Sequence, residues 1–299
     1  MRTKPIATPI AAFILCSCGG GIYDAPGASS PIDTTGASTP VTFTETADAA
    51  KAASLIASLI VPRGPAFSAA PCATGSATFT PNSSTAYAGD GRRVYNQCVQ
   101  NQGGGQVIAN GVTVDECFAT DGSIFTNDLV SAGESSQPLT LEGRTSTSDV
   151  IERFYGLTDK TRNGTSTTDS RDGAFNLENL LSHQLLAVAF DNSNPMTLTT
   201  TPNGDGSKNV TASGLFGLSD STRATANCIS GQMTVSTPNT PLAVDVGGNF
   251  HAGQLHFTSQ SGSFGDVTFQ SDGSVAASIN GGAPQVITKS TLDSFCSVQ

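Results

Sequence analysis

The sequence has no tryptophan, and that absence weakens a carbohydrate-binding reading, because sugar sites lean on aromatic platforms. Four tyrosines, Tyr23, Tyr87, Tyr95 and Tyr155, remain for such a role. Charge is scarce too: Asp, Glu, Lys and Arg make up 13% of the chain, with 24 acids against 14 bases. A net charge of −10 argues against nucleic acid as a partner and against electrostatic docking on anionic lipid. Leu, Glu and Lys are too sparse for long helices.

Most motifs that carry chemistry are missing as well. There is no Cys-x-x-Cys pair, which argues against a zinc ribbon or a thioredoxin-type redox site. No Gly-x-Ser-x-Gly elbow, P-loop or dinucleotide fingerprint occurs, and Gly103-Gly-Gly105 is too bare to stand for one. The three histidines are His183, His251 and His256. His251 and His256 are five apart, which sends them to opposite faces of a regular strand, and His183 is remote. A Ser-His-Asp site scattered through the sequence has no motif to mark it. Asn203-Gly-Asp-Gly-Ser-Lys-Asn209 alternates oxygen side chains as Ca²⁺ loops do, but its twelfth position is Gly214 and Lys208 sits inside it, so it reads as a solvated turn. Asp169-Ser-Arg-Asp172-Gly173 reads as a turn and helix cap. Asp115 and Glu116, being adjacent, fall on opposite strand faces and cannot act as a pair. No catalytic residue, metal site or cofactor is assigned.

What the chain has instead is 35 Ser, 37 Thr and 32 Gly, a composition suited to strands and turns. The expected fold is mainly β, an antiparallel meander or sandwich-like sheet with one N-terminal amphipathic helix packed on it. That helix is marked by a capping box at Thr42-x-x-Glu45, by Ala49, Ala52, Ala53, Ile56, Leu59 and Ile60 at helical spacing, and by Pro62 as its stop. Asn110-Gly111 and Asp121-Gly122 read as two-residue hairpin turns, the first pairing Val107 with Val114, the second setting Phe118 opposite Phe125. In residues 267–277, a two-residue loop at Asp272-Gly273 would put Phe269 and Val275 on opposite faces. A three-residue loop, Ser271-Asp272-Gly273, pairs Phe269 with Val275 and Val267 with Ala277, with Gly273 left-handed. Between 172 and 190 the signals mix: Leu177, Leu180, Leu181 and Leu185 suggest a short helix, and residues 186–190 a strand.

The N-terminus is the most legible segment. Arg2 and Lys4 precede an apolar run over residues 6–15, a charged and an apolar region of export-signal proportions and well short of the roughly 20 residues that span a bilayer. The sequence that follows, Leu15-Cys16-Ser17-Cys18, resembles the lipobox of bacterial lipoproteins. The resemblance covers residues 1–18 and implies lipid attachment at Cys18 with cleavage before it. Gly19, where enteric bacteria use aspartate to retain lipoproteins at the inner membrane, implies the outer membrane. The signal would then be 1–17, a lipidated tether 18–40, and a β-rich domain 41–299 that could divide into two β halves near 200–225. Removing 17 of the 299 residues leaves 282, enough for a substantial core.

Of seven cysteines, Cys16 goes with the signal and Cys18 with the lipid, leaving Cys72, Cys98, Cys117, Cys228 and Cys296. In an oxidising compartment that favours two disulfides and one free thiol. A hairpin centred at Thr85 would set Cys72 opposite Cys98, and a Cys228–Cys296 bond would pin the chain end. The expectation is a non-enzymatic lipoprotein of the cell envelope, held to the membrane by N-terminal acyl chains, with a structural or binding role toward an envelope protein or glycan. A periplasmic hydrolase with a concealed site and a surface adhesin for glycans are the rival readings.

Overall fold

The computed structural model describes residues 34, 37–61, 71–81, 91–102, 105–119, 125–132, 138–219 and 227–298. Among them a helix, α1 (Thr46–Ile60), precedes β1 (Thr74–Pro81), β2 (Gly91–Gln102), β3 (Gly105–Ala119), β4 (Phe125–Ala132), β5 (Leu139–Arg144), β6 (Asp149–Asn163), β7 (Ser166–Arg171), β8 (Gly173–Asn179) and β9 (Leu185–Phe190). There follow β10 (Met196–Pro202), β11 (Lys208–Ser219), β12 (Gly231–Ser236), β13 (Leu242–Val244), β14 (Phe250–Ala252), β15 (Gln254–Thr258), β16 (Phe264–Phe269), β17 (Val275–Ile279), β18 (Gln285–Ile287) and a short α2 (Lys289–Ser294). The fold is mainly β, and the strands form one antiparallel sheet.

That sheet is creased along a single line. The long strands β3, β6 and β11 each bend at a glycine, and the shorter strands between them break at the same level. On one flank of β3, residues 106–110 pair with β5 and residues 113–119 with β4. On β6, residues 149–154 pair with β5 and 156–161 with β4, while the opposite flank divides between β8 and β7. On β11 the division is between β9 and β10. Thus β4 and β5, β7 and β8, and β10 and β9 run end to end as interrupted strands. The bends fall at Gly111, Gly156 and Gly214, all at positive φ. A Cβ at Gly156 would lie 2.9 Å from the Gly173 Cα, and one at Gly214 would lie 2.7 Å from the Met196 Cα. Only glycine combines this conformation with so close a backbone approach.

The crease overturns several local expectations. Asn110-Gly111 is not a hairpin turn. It lies inside β3, where Tyr95 pairs with Gly111 and the Asn110 Oδ1 accepts the Gln97 backbone N–H at 2.7 Å, filling the bulge that β2 makes there. Val107 faces Gln100 and Gly143, not Val114. Between β3 and β4 a register shift places Phe125 opposite Ala119 and Asn127 opposite Phe118, so the Phe118–Phe125 pair does not form. The Asp121-Gly122 turn itself lies outside the described residues. Residues 172–190 hold no helix: β8 and β9 pair directly, because Leu177 and Leu186 face each other across strands. Asp169 and Arg171 belong to β7, and Asp172 is the break before β8, which starts at Gly173, so the segment is not a helix cap.

Elsewhere the local signals hold. Phe269 pairs with Val275 and Val267 with Ala277, and Gly273 has φ +80°. Helix α1 starts three residues later than its Thr42 signal. Glu45 is the N-cap, and Asp48 Oδ2 accepts the backbone N–H groups of Thr44 and Glu45, closing a box over 45–48. Eleven of its fifteen residues are buried, including all six of the expected stripe. The helix packs on β15, β16 and β17, its core joining Phe43 and Ile56 to Val188, Phe216, Leu255 and Phe257. A helix apolar nearly all round is a core element. The Ser54 hydroxyl bonds the Leu292 and Phe295 carbonyls, tying α1 to α2, and Lys208 Nζ donates to the Ile60 carbonyl at the helix C-terminus, where a cation complements the helix dipole.

Residues 37–41, at the end of the stretch read as tether, are docked. Val41 N–H bonds the Gln232 carbonyl, and Gln232 N–H bonds the Thr39 carbonyl, a parallel bridge onto β12. Ala37 and Val41 are buried.

Candidate functional site

Cys18 and residues 1–17 lie outside the described residues. Disulfides join Cys72 to Cys98 and Cys228 to Cys296, with Cα separations of 5.1 and 4.5 Å. The β1–β2 register is centred one residue beyond Thr85, with Pro81 paired to Gly91 and Thr78 to Val94, and it shifts again between Ser76 and Thr74, so Cys72 and Cys98 are bonded without being directly opposed in the ladder. Cys117, on β3, has Asp128 as its backbone partner. Asp205 closes the β10–β11 turn by accepting the Ser207 N–H and hydroxyl, so residues 203–209 are a hydrogen-bonded loop. No group of three metal-ligating side chains occurs among the described residues.

The outer face of the sheet is polar. Across β7 and β10, hydroxyls meet in pairs: Ser166 with Thr201 at 2.8 Å, Thr168 with Thr199 at 2.9 Å, and Ser170 with Thr197 at 3.2 Å. One cross-strand row continues from Ser170 and Thr197 through Ser213 and Ser236 to His256 and Asp266. His256 Nδ1 is 2.7 Å from Asp266 Oδ1, and its ring lies 5.8 Å from that of Phe264. The three histidines do not gather: His251 is exposed on β14, His256 is on β15, and His183 is in the β8–β9 turn.

The inner face near the crease carries charge among apolar side chains. Glu152 on β6 stands in a cross-strand row with Ala109, Leu141, Leu177 and Leu186. Removal from water pushes its carboxyl up to about 7, against the opposing pull of the Arg171 guanidinium. Arg171, at the end of β7, is paired with buried Met196, and Asp169 with buried Leu198. Burial lowers the Arg171 value, which Asp169 and Glu152 partly restore. Arg171 Nη2 is 3.8 Å from Asp169 Oδ2, beyond hydrogen-bond length, and each side chain keeps a quarter of its surface accessible. The Arg171 Nε and Asp169 Oδ1 atoms are covered and have no hydrogen-bond partner. Lys208 completes the set; burial lowers its ammonium, and Asp169 opposes that shift.

The opposite face of β6 and β8 buries an ion pair, Arg153 Nη1 to Glu178 Oε2 at 2.8 Å. With both faces of β6 covered, Val150-Ile-Glu-Arg-Phe154 shows no alternation, and for that reason sequence reading passed over Glu152, while Asp169 and Arg171 were read only as part of a turn and helix cap. No family model matches this chain, and neither does any curated protein or solved structure.

Proposed function

We propose that this chain is a lipid-anchored protein of the bacterial cell envelope, attached through Cys18 to the outer membrane, whose β-rich part binds a ligand and performs no catalysis. What supports the binding role is the set Arg171, Asp169 and Glu152, charged side chains with apolar cross-strand neighbours, a mixture of polar and apolar groups that ligand sites use. The anchor rests on Leu15-Cys16-Ser17-Cys18 and the cationic, apolar segment before it. On this reading the tether would join the fold at residues 37–41, which dock on β12. Metabolic labelling with an alkyne-bearing fatty acid tests the anchor: the wild type is expected to carry label and sediment with outer membranes, and Cys18→Ala to do neither. Unchanged labelling of Cys18→Ala would overturn the assignment, with Cys16 the next candidate.

One observation favours the hydrolase reading. The His256–Asp266 pair engages Nδ1, as a nucleophile's base requires, and Ser236 is the next residue in the row. Against it, the pair is partly exposed on the outer face, and the flanking strands use the local backbone N–H groups in their ladders, so none is placed to hold an oxyanion. Fluorophosphonate labelling that is lost in Ser236→Ala would establish the hydrolase instead.

A further inference from the structure

Strand β1 is an open edge of the sheet. Among the described residues it pairs on one side only, with β2, and all of its residues, Thr74–Pro81, are exposed. The row of backbone N–H and C=O groups on its other side is a template for one more strand. Proteins that stay single blunt such edges with charge, with bulges or by keeping the strand very short. The far end of this sheet is blunted in that way, since β18 has three residues and runs into α2. Strand β1 is not. It carries no charged residue in a chain of net charge −10, its ladder is regular from Ser76 to Pro81, and its proline stands at the last position.

The order of its residues fits a strand of its own kind. Ser76, Thr78 and Thr80 alternate with Ala77 and Phe79, so hydroxyls line one face and apolar side chains the other. An antiparallel copy in register about Thr78 sets Thr78 opposite the partner's Thr78, and Ser76 opposite the partner's Thr80. These are hydroxyl pairs of the kind that β7 and β10 form at 2.8, 2.9 and 3.2 Å. On the other face Phe79, which has Arg93 over its ring, falls opposite the partner's Ala77, a side chain small enough to lie beneath the ring. The cations of β2, Arg92 and Arg93, oppose Thr80 and Phe79. By strand geometry each would stand roughly 15–20 Å from its own copy, beyond the Debye length of about 8–10 Å, so they do not hold the two edges apart.

We propose that β1 is a dimer edge, pairing antiparallel with β1 of a second copy of this chain about a two-fold axis at Thr78. Each copy offers the other the same surface, as a closed two-fold interface requires. The contact is one strand wide, so the association is weak and reversible. It goes beyond the binding role given above and does not depend on it.

Two measurements on the full chain in detergent test the proposal. The first is cross-linking in a Cys117→Ser background, which removes a thiol that neither disulfide uses. Thr78→Cys is expected to give a disulfide-linked dimer on mild oxidation, because directly opposed residues of an antiparallel pair have Cα atoms about 4.5–5.5 Å apart, within disulfide reach. Thr80→Cys is expected to stay monomeric, since its own copy would lie roughly 14 Å away. The second is sedimentation velocity over a concentration series. Wild type is expected to self-associate, and Thr78→Lys to do so about tenfold or more weakly, because it sets two ammonium groups face to face. Thr78 is exposed on an edge strand, so neither replacement touches the core. Wild type that stays monomeric throughout, Thr78→Lys that associates as wild type does, or Thr80→Cys that cross-links as readily as Thr78→Cys would overturn the proposal. So would disulfide capture of a different envelope protein by Thr78→Cys in place of a second copy.

Discussion

Gly156 and Gly173 meet across the crease so closely that a Cβ on the first would lie 2.9 Å from the Cα of the second. Gly156 has φ +132°, a conformation that L side chains rarely adopt. Two costs therefore coincide in Gly156→Ala: backbone strain of about 1–3 kcal/mol and a contact that only main-chain movement can relieve. We expect the variant to lose at least about 2 kcal/mol of unfolding free energy, measured by urea denaturation. An alanine at Gly164, which has open space around it, should cost less.

Gly273 presents the same requirement in a hairpin. Its φ of +80° completes the three-residue loop, with its N–H bonded to the Gln270 carbonyl. Replacement by valine puts a β-branched side chain in the left-handed region and against the Lys289 stem, 2.8 Å from its Cδ. The loss expected is at least about 1 kcal/mol. A melting temperature unchanged from wild type would contradict the assignment.

These two glycines mark what could be read from the chain and what could not. At Gly273 the flanking residues settle the loop, because a two-residue turn would put Phe269 and Val275 on opposite faces. The helix stripe from Ala49 to Ile60 was legible for a similar reason, a period that matches one structure. Asn110-Gly111 was not legible. A positive φ serves a hairpin turn and a strand bend equally, and only the strands alongside decide between them. Breaks such as that between Arg171 and Gly173 depend on partners far away in sequence. Three turns did repeat a local rule: Asp191, Asp205 and Asp272 each accept from the serine two residues on, whose hydroxyl holds the carboxyl below its usual range. Glu152 was hidden because β6 is covered on both faces, on one of them by the Arg153–Glu178 ion pair, so the residues around it do not alternate.

The Cys228–Cys296 disulfide should matter more than its place near the chain end suggests. It closes a separation of 68 residues and holds the segment whose Leu292 and Phe295 carbonyls receive the Ser54 hydroxyl from α1. A cross-link of that span is worth roughly 4 kcal/mol in the chain-entropy treatment. The double variant Cys228→Ser, Cys296→Ser is expected to melt well below wild type, and reductant to have little further effect on it beyond that at Cys72–Cys98. Equal melting temperatures would show that α2 is held by packing alone.

Glu152 gives the stability of the fold a distinctive pH dependence. Its folded carboxyl titrates at about 7, above the ordinary 4.5. Between those values the folded protein keeps a proton that the unfolded chain has released. Proton binding thus favours the folded state, so the Glu152 contribution is at its best below the unfolded value, falls as pH rises through the window, and levels off above the folded value. The whole change is at most about 3 kcal/mol. Most buried carboxylates act in the opposite sense, because a partner lowers them; here loss of water outweighs the attraction of Arg171. Glu152→Gln removes the titration while keeping the shape. The variant should match wild type near pH 4.5 and exceed its urea midpoint at pH 8, whereas Arg171→Met should move the wild-type decline to higher pH by taking away the cation that favours ionisation. Parallel decline of wild type and Glu152→Gln between pH 4.5 and 8 would refute the account.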